Sequence, residues 1–105
     1  MDSITAPELK ALLDAGQPLQ LLDVRTPGEW NYCRLPGAIL IPLPELPHRL
    51  AELDPAAEIV VHCHHGIRSQ RAIHFLQQHG FTRLKNLTGG IDAWSMLVDP
   101  SLPRY

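Results

Sequence analysis

Cysteine is scarce in this chain: its 105 residues hold two, Cys33 and Cys63. Two thiols cannot build a disulfide framework, and they carry no paired zinc spacing. Long hydrophobic runs are missing too, and none approaches the roughly 20 residues that a membrane-crossing helix needs. The opening stretch, MDSITAPELKALLDAG, has neither the basic region nor the apolar region of a secretory leader. Charge of one sign is also lacking. Nine Lys+Arg against eleven Asp+Glu leave a formal charge of −2, without the basic excess that marks a nucleic-acid surface. There is no internal repeat, low-complexity tract or linker. The expectation is one domain over 1–105, a cytoplasmic monomer with reduced thiols that engages neither nucleic acid nor membrane.

What is present is a globular balance, 45% hydrophobic and 19% charged residues, and ten prolines that punctuate short elements. Thr5 with Glu8 three residues on is a capping-box pattern, with Leu9, Leu12 and Leu13 on one face and Gly16 placed to end the helix. Gln20 to Val24 reads as a buried strand. Thr26 with Glu29 repeats the capping box before a short helix through Trp30. Ile39 to Ile41 forms a second strand, and 44–53 a helix with Pro47 in its first turn. Ile59 to His62 is a third strand, 69–79 a helix, 83–87 a last strand and 91–98 a final helix. Strands alternating with helices predict a three-layer α/β domain, its mostly parallel central sheet covered by helices on both faces.

In such sheets, ligands bind beyond the carboxyl ends of the strands. The segment leaving the third strand, Cys63-His64-His65-Gly66-Ile67-Arg68-Ser69, runs straight into a helix. A sulfur there faces the unpaired N–H groups and positive end of a helix dipole, which favour an anion. Gly66 lets successive amides converge on one point, and Arg68 adds a fixed positive charge. The pattern is an anion cradle with a nucleophile at its floor, suited to sulfur, sulfonate, phosphate or arsenate. A lone cysteine at a strand end is more often a small buried hydrophobe, but this context favours the nucleophile. His64 and His65 line the loop mouth. A metal reading of the His-Cys-His-His run is disfavoured, because adjacent strand residues point to opposite faces and no second ligand pair follows. Asp23 and Arg25 end the first strand at the same sheet edge, where they either brace the loop or form a local ion pair of little worth. Cys33 reads as a packing residue, and Trp30 and Trp94 as core or rim.

The ordered set of motifs resembles the single-domain rhodanese family of thiosulfate-type sulfurtransferases. The matching pieces are Leu21-Leu22-Asp23-Val24-Arg25 with Pro27, Glu29 and Trp30; Leu35-Pro36-Gly37-Ala38 and Ile41-Pro42-Leu43; the loop at 63–69; Gly80-Phe81; and Leu87-Thr88-Gly89-Gly90 leading to Ala93-Trp94. Cys33-Arg34 stands where many members carry Gly-His. The resemblance implies ping-pong sulfur transfer without a cofactor. Cys63 would carry a persulfide taken from a small donor such as thiosulfate and give it to a thiol acceptor, to cyanide in vitro, or to a sulfur-relay protein. Residues 64–69 would form the binding loop, with Arg68 holding an anionic donor. Phosphatase and arsenate-reductase relatives of the fold have one more residue between Cys and Arg. Only four separate Cys63 from Arg68 here, which suits a single sulfur atom.

Overall fold

The computed structural model describes residues 2–105. Two reciprocal capping boxes start the first two helices, α1 (Ala6–Asp14) and α2 (Pro27–Tyr32). Thr5 Oγ1 accepts from the Glu8 amide at 3.2 Å while Glu8 Oε1 accepts from the Thr5 amide at 2.9 Å. Thr26 and Glu29 repeat the exchange, both bonds at 3.2 Å. Each box satisfies helix N–H groups that have no partner within the helix.

The strands are β1 (Ser3–Ile4), β2 (Gln20–Asp23), β3 (Ile39–Leu40), β4 (Ile59–His62) and β5 (Leu84–Leu87), joined in the order β1-β5-β4-β2-β3. Every pairing is parallel. β4 lies at the centre with all four residues buried, as expected of a strand covered on both faces. Alternate side chains divide the core into two layers. Leu22, Ile59 and Val61 pack with Ala72, Ile73 and Leu76 of α3 (Ile67–Gln78), while Leu21 and Val60 pack with Leu9 of α1 and with Ile91 and Trp94 of α4 (Gly90–Leu97). The three-layer α/β architecture read from the sequence is the one observed. Cys63 belongs to the α3 layer and Cys33 to the α1/α4 layer, so the sheet stands between the two sulfurs.

Apart from one-residue shifts at the ends of β2, β3, β5 and α4, three details differ from the sequence reading. The segment 44–53 is not an α-helix but two 3-10 stretches, Leu43–His48 and Leu50–Glu52. Pro47 lies inside the first, where its missing N–H and ring forbid an α-helical ladder. α3 starts at Ile67, two residues earlier than expected. The strand β1, unexpected from sequence, pairs Ile4 with Leu87 at the sheet edge. Among the described residues, no helix is long and apolar enough to cross a membrane.

Leu22 is wholly buried on β2, whereas Met96 is 54% exposed on α4. Leu22→Ala should destabilise the protein by about 2–5 kcal/mol and Met96→Ala by no more than about 0.5 kcal/mol, read from urea unfolding midpoints. Equal effects would contradict the placement of the core.

Candidate functional site

β4 delivers Cys63 to the carboxyl edge of the sheet and α3 begins four residues later, so the chain must reverse within His64-His65-Gly66. Gly66 does this at φ +134°, a conformation that side chains disfavour. The reversal turns the Gly66 amide back onto Cys63, where it donates to Sγ at 3.1 Å. The amides of residues 67–69 open α3 ahead of its first intrahelical bond, which the Gln70 amide makes to the Gly66 carbonyl at 3.1 Å. Ser69 Oγ lies 3.5 Å from Sγ, and either atom can donate. The sulfur is almost fully buried, with 1% of the residue exposed.

Two contacts from elsewhere in the chain hold the loop. Asn86 on β5 accepts from the Ser69 hydroxyl at 2.6 Å through Oδ1, and its Nδ2 donates to the Gly66 carbonyl at 3.2 Å. The N-terminus of α4 supplies the second contact: the Ile91 amide donates to the Cys63 carbonyl at 2.9 Å and the Asp92 amide to the His64 carbonyl at 3.2 Å. Gly90, at φ +59°, permits this approach, since a Cβ there would sit 2.5 Å from the Cys63 carbonyl oxygen and closer still to that of His64.

The charged groups form a chain. Arg68 does not stand open to the loop; its guanidinium grips Glu29 through two bonds of 2.6 and 2.9 Å. Tyr105 donates its hydroxyl to the same carboxylate at 2.6 Å. These partners, Arg68 foremost, hold the Glu29 carboxyl far below the usual carboxylate range. The hydroxyl of Tyr105 in turn accepts from Arg25 at 2.9 Å, and burial is the main reason its phenol is pushed up to about 12. Arg25 and Asp23 are both fully buried and paired at 2.7 Å, with Arg25 also donating to the Cys33 carbonyl at 2.6 Å. This is no surface pair of small worth: removing one partner would strand a buried charge. Neither residue touches the 63–69 loop in a hydrogen bond; they reach Arg68 through Tyr105 and Glu29.

His64 stacks on the Tyr105 ring with centroids 4.0 Å apart, and burial lowers its pKa. His65 is exposed at the rim, its Nε2 3.6 Å from Asp92. His64, His65 and Asp92 bring possible ligand atoms within 4.8 Å of one another, yet Arg104 already holds the Asp92 carboxylate at 2.9 and 3.3 Å. Ile67 projects outward, 68% exposed. The sequence reading passed over Glu29 as a partner of the loop, and it missed Asn86, Gly90 in its clamping role, Asp92 and Tyr105. Of these, the Gly89-Gly90 pair was the one visible signal.

The site thus combines a parallel α/β sheet, a strand-to-helix turn and a buried cysteine whose sulfur receives the Gly66 amide. A family model described as "Rhodanese-like domain" matches residues 5–97, and the chain belongs to that family. A sulfurtransferase of Allochromatium vinosum is 34% identical over 95 residues, covering 90% of this chain and 89% of that protein. The probable adenylyltransferase/sulfurtransferase MoeZ of Mycobacterium tuberculosis is 38% identical over 105 residues, covering 98% of this chain but 27% of that protein. The chain therefore spans only about a quarter of the length of that relative. Among solved structures, a rhodanese-like domain protein from Staphylococcus aureus superposes with a TM-score of 0.87 at 33% identity, covering 100% of this chain and 99% of its own.

Two predictions come from this geometry. Gly90→Ala should push the Cys63 and His64 carbonyls off α4, lowering the thermal midpoint and altering the rate of Cys63 alkylation together; a variant unchanged in both would refute the clamp. His62 is wholly buried beside Asp23, and burial lowers its pKa to about 4. Its folded pKa thus lies below the unfolded value of about 6.5. The unfolded chain binds the extra proton between these values, so stability is lost as pH falls from about 6.5 toward 4. Chemical unfolding across that range should show the loss, and His62→Leu should reduce its slope.

Proposed function

We propose that this chain is a sulfurtransferase that carries a sulfane sulfur as a persulfide on Cys63. The observation that carries the reading is the Gly66 amide bonded to the buried Cys63 Sγ at the mouth of α3. In this reading, the Cys63 thiolate attacks the outer sulfur of a donor such as thiosulfate. A new S–S bond forms as the donor's own S–S bond breaks, and sulfite leaves with the electron pair. The terminal sulfur of the persulfide bears the negative charge, and in this reading the amides of residues 64–69 stabilise it, as the Gly66 amide on Sγ supports. Ser69 Oγ lies 3.5 Å from the sulfur while its proton is donated to Asn86, so the Ser69–Asn86 pair fixes the wall of the loop beside Cys63. A thiol, or cyanide in vitro, then attacks the terminal sulfur and releases Cys63 for another cycle. Covalent storage divides one difficult transfer into two easier ones, and no step calls on a cofactor.

Cys33 has no part in this cycle, since it packs in the other core layer and receives Arg25 at 3.8 Å. The likeness to MoeZ favours a second reading of the same chemistry, in which the donor or acceptor is a protein and the domain acts in a sulfur relay. A relay domain should load poorly from thiosulfate and well from a persulfide-bearing protein.

Thiocyanate production from thiosulfate and cyanide tests the nucleophile. Cys63→Ser should lose turnover to background while keeping its circular dichroism and melting transition, and Cys33→Ser should retain it. Turnover persisting in folded Cys63→Ser would move the nucleophile elsewhere.

A further inference from the structure

Segment 99–105 lies beyond the residues that the rhodanese-like family model matches, which end at Leu97, yet it is fastened to the helix that clamps the sulfur loop. Ser95 of α4 donates its hydroxyl to the Leu102 carbonyl at 2.6 Å, and Leu102 packs against the α1/α4 layer of the core. Arg104 holds the carboxylate of Asp92, whose amide donates to the His64 carbonyl. These contacts bring Tyr105 to the mouth of the site. Tyr105 is 44% exposed and belongs to neither core layer, so burial does not account for its placement.

Its side chain meets the loop at both ends. The ring lies flat on His64, centroids 4.0 Å apart and planes 10° apart, and Tyr32 abuts it edge-on at 5.8 Å. The hydroxyl donates to Glu29 at 2.6 Å, and Glu29 grips Arg68 at 2.6 and 2.9 Å. Arg25 donates to the same hydroxyl at 2.9 Å and so fixes it from the buried side. His64 directly follows Cys63, and Arg68 directly precedes Ser69, whose Oγ lies 3.5 Å from Sγ. Between them stands Gly66, with its amide on the sulfur. The α4 clamp holds only the Cys63 and His64 carbonyls, whereas Tyr105 restrains the two ends together.

We propose that Tyr105 is a positioning residue of the sulfur site. Acting through His64 at one end of the 63–69 loop and through Glu29 and Arg68 at the other, it holds the loop in the shape that aims the Gly66 amide at Cys63 Sγ. Tyr105 makes and breaks no bond of the transfer. Its effect passes through the loop backbone, because an N–H donor stabilises a developing charge only while its aim is kept, and small misplacements cost rate. The link to turnover rests on the sulfur-transfer reading; the restraint of the loop does not.

Hydrogen–deuterium exchange read by peptide mass spectrometry tests the restraint without sulfur chemistry. Tyr105→Leu removes both contacts and should speed exchange of a peptide spanning 63–70 by at least about tenfold, while a peptide from α1 keeps its rate. Tyr105→Phe keeps the ring on His64 and should give a smaller rise. A rise shared equally by α1 would be a general loss of stability, and no rise in either variant would mean that the loop stands without Tyr105. Either result overturns the proposal. Turnover of thiosulfate with cyanide reads the consequence. Tyr105→Leu should lower kcat roughly tenfold with KM for thiosulfate within about twofold, as expected for an interaction that counts only in the transition state, and Tyr105→Phe should recover part of the loss. A raised KM at unchanged kcat would make Tyr105 a donor-binding group, and faster loop exchange at unchanged turnover would remove it from the transfer. Both overturn the positioning role. If wild-type Cys63 takes sulfur from no donor, the sulfur-transfer reading fails, while the exchange rates still decide whether Tyr105 holds the loop.

Discussion

The turn from β4 into α3 stays in place because two carbonyl oxygens have nowhere else to go. Those of Cys63 and His64 are received by the amides of Ile91 and Asp92 at the start of α4, and Gly90 lets the two backbones meet. With these carbonyls turned away, the opposite side of the peptide chain can present its N–H groups inward. Gly66 then completes the turn and aims its amide at the sulfur. An N–H donor pre-aimed at a charge needs no reorganisation when the charge develops. The α1/α4 layer of the core therefore has a second task besides covering the sheet: it holds the loop that α3 alone would leave unsupported.

The electrostatics are organised around pairing. Arg25 and Asp23 are buried at the end of β2, and Tyr105 links that pair to Glu29 and Arg68 at the mouth. A buried guanidinium tolerates its environment only with its hydrogen bonds satisfied, and Arg25 finds partners in Asp23, the Cys33 carbonyl and the Tyr105 hydroxyl.

The parts legible in the sequence were those written in local spacing. Thr5 with Glu8 and Thr26 with Glu29 predict helix starts because both halves of each capping box lie within one turn. The Cys63-to-Ser69 run exposes its strand-to-helix character in the same way. The 43–52 segment misled because its apolar pattern has helical spacing, yet Pro47 removes the hydrogen bond that an α-helix requires. β1 escaped notice because its two residues owe their strand form to β5. The charge pairing was hidden for a related reason. Arg68 meets Glu29 across 39 residues, and Tyr105 meets Glu29 across 76, so only the fold shows that a capping residue is also the partner of the loop's cation.

The most direct test of the account is the intact mass of the reduced protein before and after a sulfane-sulfur donor, and again after cyanide, with Cys63→Ser treated alongside. The account predicts a gain of one sulfur atom, mapped to the peptide containing Cys63, lost to cyanide as thiocyanate and absent from the variant. A sulfur gained elsewhere in the chain, or gained equally by folded Cys63→Ser, would contradict it.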